Sequence, residues 1–124
     1  MGLKECIKNH TKNKVEIIRK NGYNIIIMEI NIPQKYQKDI EIATNLLKKE
    51  GCQSIYLFGS LVTGKIRDES DIDIGIKGLP KGKFLKLYSQ LYFDFENKID
   101  LVDFDTNSDF HSMLNRIGEV VEIG

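Results

Sequence analysis

Phe58-Gly59-Ser60-Leu61-Val62-Thr63-Gly64-Lys65-Ile66-Arg67-Asp68-Glu69-Ser70-Asp71-Ile72-Asp73-Ile74 joins two apolar runs through a Gly-Ser turn and a polar loop. The run before it, Ile55 to Phe58, is short, branched and aromatic, and reads as a buried strand. The run after it, Asp71 to Ile76, places isoleucines at alternate positions with carboxylates between the first of them, which predicts a strand with one wet face. Two carboxylates two residues apart on a strand share a face, about 7 Å apart at the backbone. Asp71 and Asp73 can therefore converge on bound cations, while Ile72 and Ile74 face a core. After a strand, Gly59 lets the backbone approach a ligand closely and Ser60 adds a hydroxyl. Amides at the start of a short helix entered there would face an anion. Together these groups suit a triphosphate and its metal.

Working outward, Lys98-Ile99-Asp100-Leu101-Val102 lies in a third strand, predicted over Ile99 to Phe104, that can pair beside the carboxylate strand. Asp100 then adds a third acid. Three carboxylates in one cleft repel, and Mg²⁺, which prefers oxygen ligands, would relieve that repulsion while bridging phosphates to the protein. Such an arrangement suits phosphoryl-type transfer, with Asp100 placed to assist deprotonation of an acceptor hydroxyl. Upstream, Tyr36, Ile40, Ala43 and Leu47 fall on one face of a helix that Pro33 opens and Gly51 ends. Downstream, a helix is predicted from about Gly82 to Asn97, burying Phe84, Tyr88, Leu91 and Phe95. Ser108 or Asp109 can cap a short helix carrying Met113, Leu114 and Ile117, and Val120 to Ile123 suits an edge strand. From residue 33 the order is α, β, β, α, β, α, β. Residues 1–32 form an N-terminal extension of ambiguous structure. Leu3, Ile7, Val15 and Ile18 suit a helix interrupted by a polar gap, then Asn21-Gly22 suits a turn before a β-like run from Tyr23 to Ile30. Residues 33–124 form the functional domain.

The chain's 124 residues provide for one core. Eighteen basic residues balance eighteen acidic ones, so there is no overall positive field to hold free nucleic acid. The balance is uneven: residues 1–50 carry ten basic and six acidic groups (+4), and 51–124 carry eight and twelve (−4). Cys6 and Cys52 are too few and too far apart for a disulfide framework or a metal knuckle, and both are expected as free thiols in a reducing compartment. The longest apolar run, Ile25 to Met28, is far short of a membrane span, and the N-terminus has no secretory pattern. A cytoplasmic protein is expected.

Gly59-Ser60, ten intervening residues, Asp71-Ile72-Asp73 and the later Asp100 resemble the signature of polymerase-beta-type nucleotidyltransferases, in particular the minimal nucleotidyltransferases. The resemblance runs from about residue 33 to 123 and includes the strand before Gly59, Gly64, Ser70 and the apolar residues flanking each aspartate. It implies an α/β (α+β) fold with a small mixed β-sheet and helices packed on it, two Mg²⁺ ions, and NMP transfer from an NTP, usually ATP. The metal-ligand and catalytic roles carry over to Asp71, Asp73 and Asp100, and nucleotide binding to Gly59, Ser60, Lys65, Arg67 and Ser70. Small members are often paired with a HEPN-domain toxin, to which they add AMP on a tyrosine. The resemblance therefore implies an antitoxin in a hetero-oligomer with that toxin. One departure stands out: many members carry Arg where this chain has Thr63, leaving Lys65 or Arg67 to supply the cation.

Two other functions compete with protein AMPylation. A non-catalytic antitoxin would neutralise its partner by occlusion, with Thr63 as the sequence feature in its favour. A small-molecule transferase of the aminoglycoside type would need a helical domain to enclose its acceptor, and the chain ends soon after the third strand. Other acidic groups have plainer readings. Asp103 points away from Asp100 by alternation, and Asp94, Glu96, Asp105 and Asp109 suit surface or capping positions. His10 and His111 lack a second histidine at ligand spacing and read as surface or capping residues. Tyr88, Tyr92 and Phe95, at helical spacing, suit a core or a partner interface rather than a base-stacking platform.

Overall fold

The computed structural model describes residues 6–8, 14–17 and 28–124, with side chains from residue 32 onward. Two sheets are present among them. Strands β1 (Cys6–Lys8), β2 (Lys14–Ile17) and β3 (Met28–Asn31) form an antiparallel sheet in which Ile7 pairs with Val15 and Val15 with Ile30. Ile7 and Val15, whose spacing also suits a helix, are thus strand residues. Leu3, Ile18 and the Asn21-Gly22 turn lie outside the described residues.

The chain then enters α1 (Gln34–Lys49), with Pro33 at the N-cap rather than inside the first turn. Next come β4 (Ser54–Phe58), a single turn of helix α2 (Ser60–Thr63), β5 (Ile72–Lys77), α3 (Phe84–Phe93), β6 (Ile99–Asp103), α4 (Ser108–Ile117) and β7 (Val120–Glu122). The four-stranded sheet has the order β6-β5-β4-β7. β5 and β6 run parallel, with α3 as their crossover, and the β4–β5 and β4–β7 pairs are antiparallel. This is the mixed sheet with packed helices that the sequence implied. No helix of the described residues is long and apolar enough to cross a membrane.

Strand alternation sorts the side chains onto two faces. On one face Ile55, Leu57, Ile72, Ile74, Ile76, Ile99 and Leu101 meet Tyr36, Ile40, Ala43 and Leu47 of α1 and Leu87 and Leu91 of α3, forming the main core. On the other, Phe58, Phe104, Leu114 and Val120 form a second cluster beneath α4, with Tyr56 and Val102 packed against it. Gly75 in β5 makes room for Phe104, since a Cβ there would strike its ring.

Three details differ from the periodicity. α3 begins at Phe84 and stops at Phe93, well short of Asn97. Beyond its end, Asp39, buried in α1, accepts at its Oδ2 hydrogen bonds from both the backbone N–H and the Nδ2 of Asn97, each at 2.9 Å, and so holds the α3–β6 connection against α1. The N-cap of α4 is Asn107, not Ser108 or Asp109, and its Nδ2 donates to the Asp103 carbonyl at 2.8 Å, closing the preceding turn. His111 is buried rather than superficial, stacked on Phe104 with ring centroids 4.3 Å apart and 4.6 Å from Tyr56. Burial, and then Lys77, hold its imidazole below the ordinary histidine range.

Asn97→Ala keeps the backbone N–H but removes the Nδ2 that donates to the buried Asp39 carboxylate and to the Lys35 carbonyl, and is expected to lower stability by about 1–3 kcal/mol. Urea denaturation of the variant against the parent measures this, and an unchanged midpoint would show that Asp39 does not hold the α3–β6 connection.

Candidate active site

The carboxylates are positioned by register. Asp73 of β5 lies opposite Asp100 of β6 on the parallel side and opposite Phe58 of β4 on the other. Asp73 sits between Ile72 and Ile74, and Asp100 between Ile99 and Leu101, all four buried, so both acids leave the main core for the face that α4 partly covers. Asp71 precedes β5 by one residue, so the strand is Ile72–Lys77 rather than Asp71–Ile76. It is exposed, whereas Asp73 and Asp100 are half-buried.

Electrostatics tie the three together. Burial, then the charges of Asp100 and Asp71, push the Asp73 carboxyl up to about 6. Burial and Asp71 raise Asp100. These are the signs of like charges sharing a partly desolvated face. Among the described residues no three His, Cys, Asp or Glu side chains are drawn together tightly enough to hold a metal ion. The donors nevertheless fit a hard cation in kind, being carboxylate oxygens whose mutual repulsion a cation would relieve.

Opposite the acids, Gly59 takes φ +80° and ψ −151°, outside the range of L side chains, at the N-cap of α2. A Cβ there would collide with the Asp73 carboxylate and lie 2.9 Å from its Cγ. The missing side chain therefore lets Asp73 reach the turn. Ser60 opens α2, whose Val62 and Thr63 amides return to the Gly59 carbonyl at 3.0 Å. Thr63, at the position where many members carry Arg, accepts a hydrogen bond from the Lys65 amide at 3.3 Å and donates to the Ser60 carbonyl at 3.5 Å. Lys65 and Arg67 are exposed.

The loop from Gly64 to Ser70 is held from within and from α1. The Arg67 amide donates to Ser70 Oγ at 2.8 Å, and the Ser70 amide donates to the Arg67 carbonyl at 3.1 Å. The Ser70 hydroxyl thus shapes the loop in this structure. Tyr36 Oη donates to the Ser70 carbonyl at 3.1 Å, and Lys35 Nζ to the Asp68 carbonyl at 2.9 Å. These two α1 residues fix the approach to Asp71. Tyr36 is visible in the sequence only as a core position, and Lys35 carries no pattern at all. Asp103 turns to its own loop, where its Oδ1 accepts from the Asp105 amide at 2.9 Å, and Asp105 in turn accepts from the Gly78 amide at 2.8 Å.

The family profile "Polymerase beta, Nucleotidyltransferase" matches residues 40–121, which hold the Gly59 turn and all three aspartates. The chain belongs to this nucleotidyltransferase family. Among solved structures, this nucleotidyltransferase domain is similar to a crystal structure of a toxin–antitoxin with AMP-PNP (25% identity, TM-score 0.56, covering 69% of this chain and 72% of that one). A mutant of the toxin–antitoxin MntA-HpeT shares the fold at 23% identity and a TM-score of 0.54, over 69% of this chain and 72% of that one. No curated protein matches the nucleotidyltransferase chain.

Proposed function

We propose that this protein transfers AMP from ATP to a protein hydroxyl, a tyrosine of a cognate HEPN toxin, and so acts as an antitoxin, with residues 33–124 as its catalytic unit. The observation that carries the reading is the pairing of Asp73 with Asp100 on one sheet face beside Gly59, with Asp71 one residue before β5 and its charge helping to raise both carboxyl pKa values. The likeness to a toxin–antitoxin structure with AMP-PNP supports both the nucleotide and the kind of partner.

Asp71, Asp73 and Asp100 would hold Mg²⁺, which when bound neutralises the triphosphate and aligns it with the acceptor oxygen. The protein's own part is positional. Gly59 and Ser60 let the backbone approach the phosphates, and Lys65 and Arg67 offer positive charge to the departing pyrophosphate. The acceptor oxygen bonds to the α-phosphorus as the bond to pyrophosphate breaks, and Asp100 takes the hydroxyl proton.

Incubation with α-labelled ATP, Mg²⁺ and the toxin is expected to label the toxin on tyrosine. Absence of label on a folded toxin would reject the reading. ATP with Mg²⁺ should also raise the melting temperature of the protein, by about 2.7 kcal/mol of added stability at a hundredfold excess over Kd. No shift at millimolar ligand would mean that no working nucleotide site exists. Thr63 favours a second reading, neutralisation by occlusion alone, because its hydroxyl is engaged within the loop where the family often has a cation. In that case an Asp71→Asn variant would still protect cells.

A further inference from the structure

Leu85 and Phe93, 74% and 75% exposed, are the most exposed large apolar side chains among the described residues, and both lie on α3. They stand eight residues apart with Ser89 midway, so the three form one ridge along the helix, about 12 Å from end to end. The neighbouring ridge is Phe84, Tyr88 and Tyr92, half-buried, with Tyr88 and Tyr92 stacked at 6.0 Å and Phe93 edge-on to Tyr92 at 5.1 Å. The outer side of α3 is therefore a strip of apolar and aromatic surface with a small residue at its centre.

The charges around the strip are divided by end. Lys81 and Lys86 are exposed at the start of α3, and Asp94 and Glu96 are exposed just past its end. Lys83 is turned away to Glu50 at 3.2 Å, and Lys98 lies over the Tyr92 ring at 5.2 Å. A ridge that is symmetric about a small residue and carries opposite charge at its two ends is complementary to itself in the antiparallel sense.

We infer that α3 is a self-association face, and that a second copy of this chain packs across it, antiparallel, with the two-fold axis at Ser89. Leu85 of one protomer then meets Phe93 of the other, the lysine end lies beside the acidic end, and the helix dipoles oppose favourably. The small Ser89 allows the two helices to approach closely at the crossing point. Because α3 covers the sheet face opposite Asp73 and Asp100, the dimer leaves both carboxylate sites open. A pair of ten-residue helices buries less than the roughly 1,600 Å² of a standard interface, which places this face among the small, transient ones. The inference does not depend on the AMP-transfer reading.

Sedimentation equilibrium of the full chain from about 5 to about 500 µM tests it. The weight-average mass should climb to that of two protomers, and Leu85→Glu and Phe93→Glu should each hold it at one. In a Cys6→Ser background, Ser89→Cys should oxidise to a covalent dimer, because the two thiols face each other across the axis, while Glu41→Cys on the exposed side of α1 should not. A single-protomer mass at the highest concentration overturns the inference, including the case in which a different protein covers α3. So does a dimer that survives both glutamate variants, or equal cross-linking at 89 and 41. If a glutamate variant fails to fold, the cross-linking pair decides alone.

Discussion

Asp73→Asn should abolish nucleotide transfer, lowering the rate by at least about a thousandfold, while making the folded protein more stable at neutral pH. The first effect follows from removing the central acid of the row, which pairs in register with Asp100 and rests against the Gly59 turn. The second follows from linkage. With its carboxyl at about 6 in the folded state against an ordinary 3.8, Asp73 binds more protons folded than unfolded between those values. Its contribution therefore turns against folding as pH rises through that window, and above about 6 the whole penalty of the buried, repelled charge is present. A neutral amide escapes it. Thermal melts of parent and variant at about pH 4.5 and about pH 7.5 should show the variant's advantage growing to its full size only at the higher pH. Labelled-ATP assays at neutral pH should show no transfer. An active Asp73→Asn variant would remove Asp73 from the machinery, and an advantage independent of pH would mean that charge is not what strains this face.

Gly59→Ala should damage both stability and transfer. At φ +80° and ψ −151° the backbone of Gly59 lies in a region almost reserved for glycine, which costs a residue with a Cβ about 1–3 kcal/mol, and here the added carbon also runs into the Asp73 carboxylate. Either Asp73 rotates away from the turn or the turn moves off the sheet. In both cases the Gly59 turn and the acids lose the mutual placement that the proposed reaction needs, so transfer should fall by about a hundredfold or more, as a misplacement of about 1 Å can cause. The comparison with Gly64→Ala separates strain from collision. Gly64 has φ +85° in the left-handed helical region, and a Cβ added there would meet nothing within 4 Å, so that variant should lose only the backbone cost of about 1–2 kcal/mol and keep most of its activity. Equal losses of transfer in the two variants would show that the Gly59–Asp73 approach does not matter.

The acid row and the sheet are legible because both are written in short-range patterns. Isoleucine at alternate positions from Ile72 to Ile76 marks the buried face of β5 and fixes Asp71 and Asp73 on the other, and the same alternation separates Asp100 from Asp103. Tyr36, Ile40, Ala43 and Leu47 likewise announce α1 and are buried as their spacing requires. What stays hidden rests on hydrogen bonds between residues far apart in sequence. The Tyr36 hydroxyl on the Ser70 carbonyl, Lys35 on the Asp68 carbonyl and Asp39 on Asn97 connect groups 34, 33 and 58 residues distant, and a main-chain carbonyl has no signature in a sequence. The burial of His111 is invisible for the same reason, since the rings that enclose it come from β4 and from the turn after β6. β1 and β2 are three and four residues long, too short for alternation to be told from a helical spacing.

The helix that carries Leu85 and Phe93 is also the covalent bridge between β5 and β6, the two strands that hold Asp73 and Asp100 in register. On the proposed reaction, whatever grips this helix from outside would bear on the spacing of Asp73 and Asp100 from the back of the molecule, with every acid left intact.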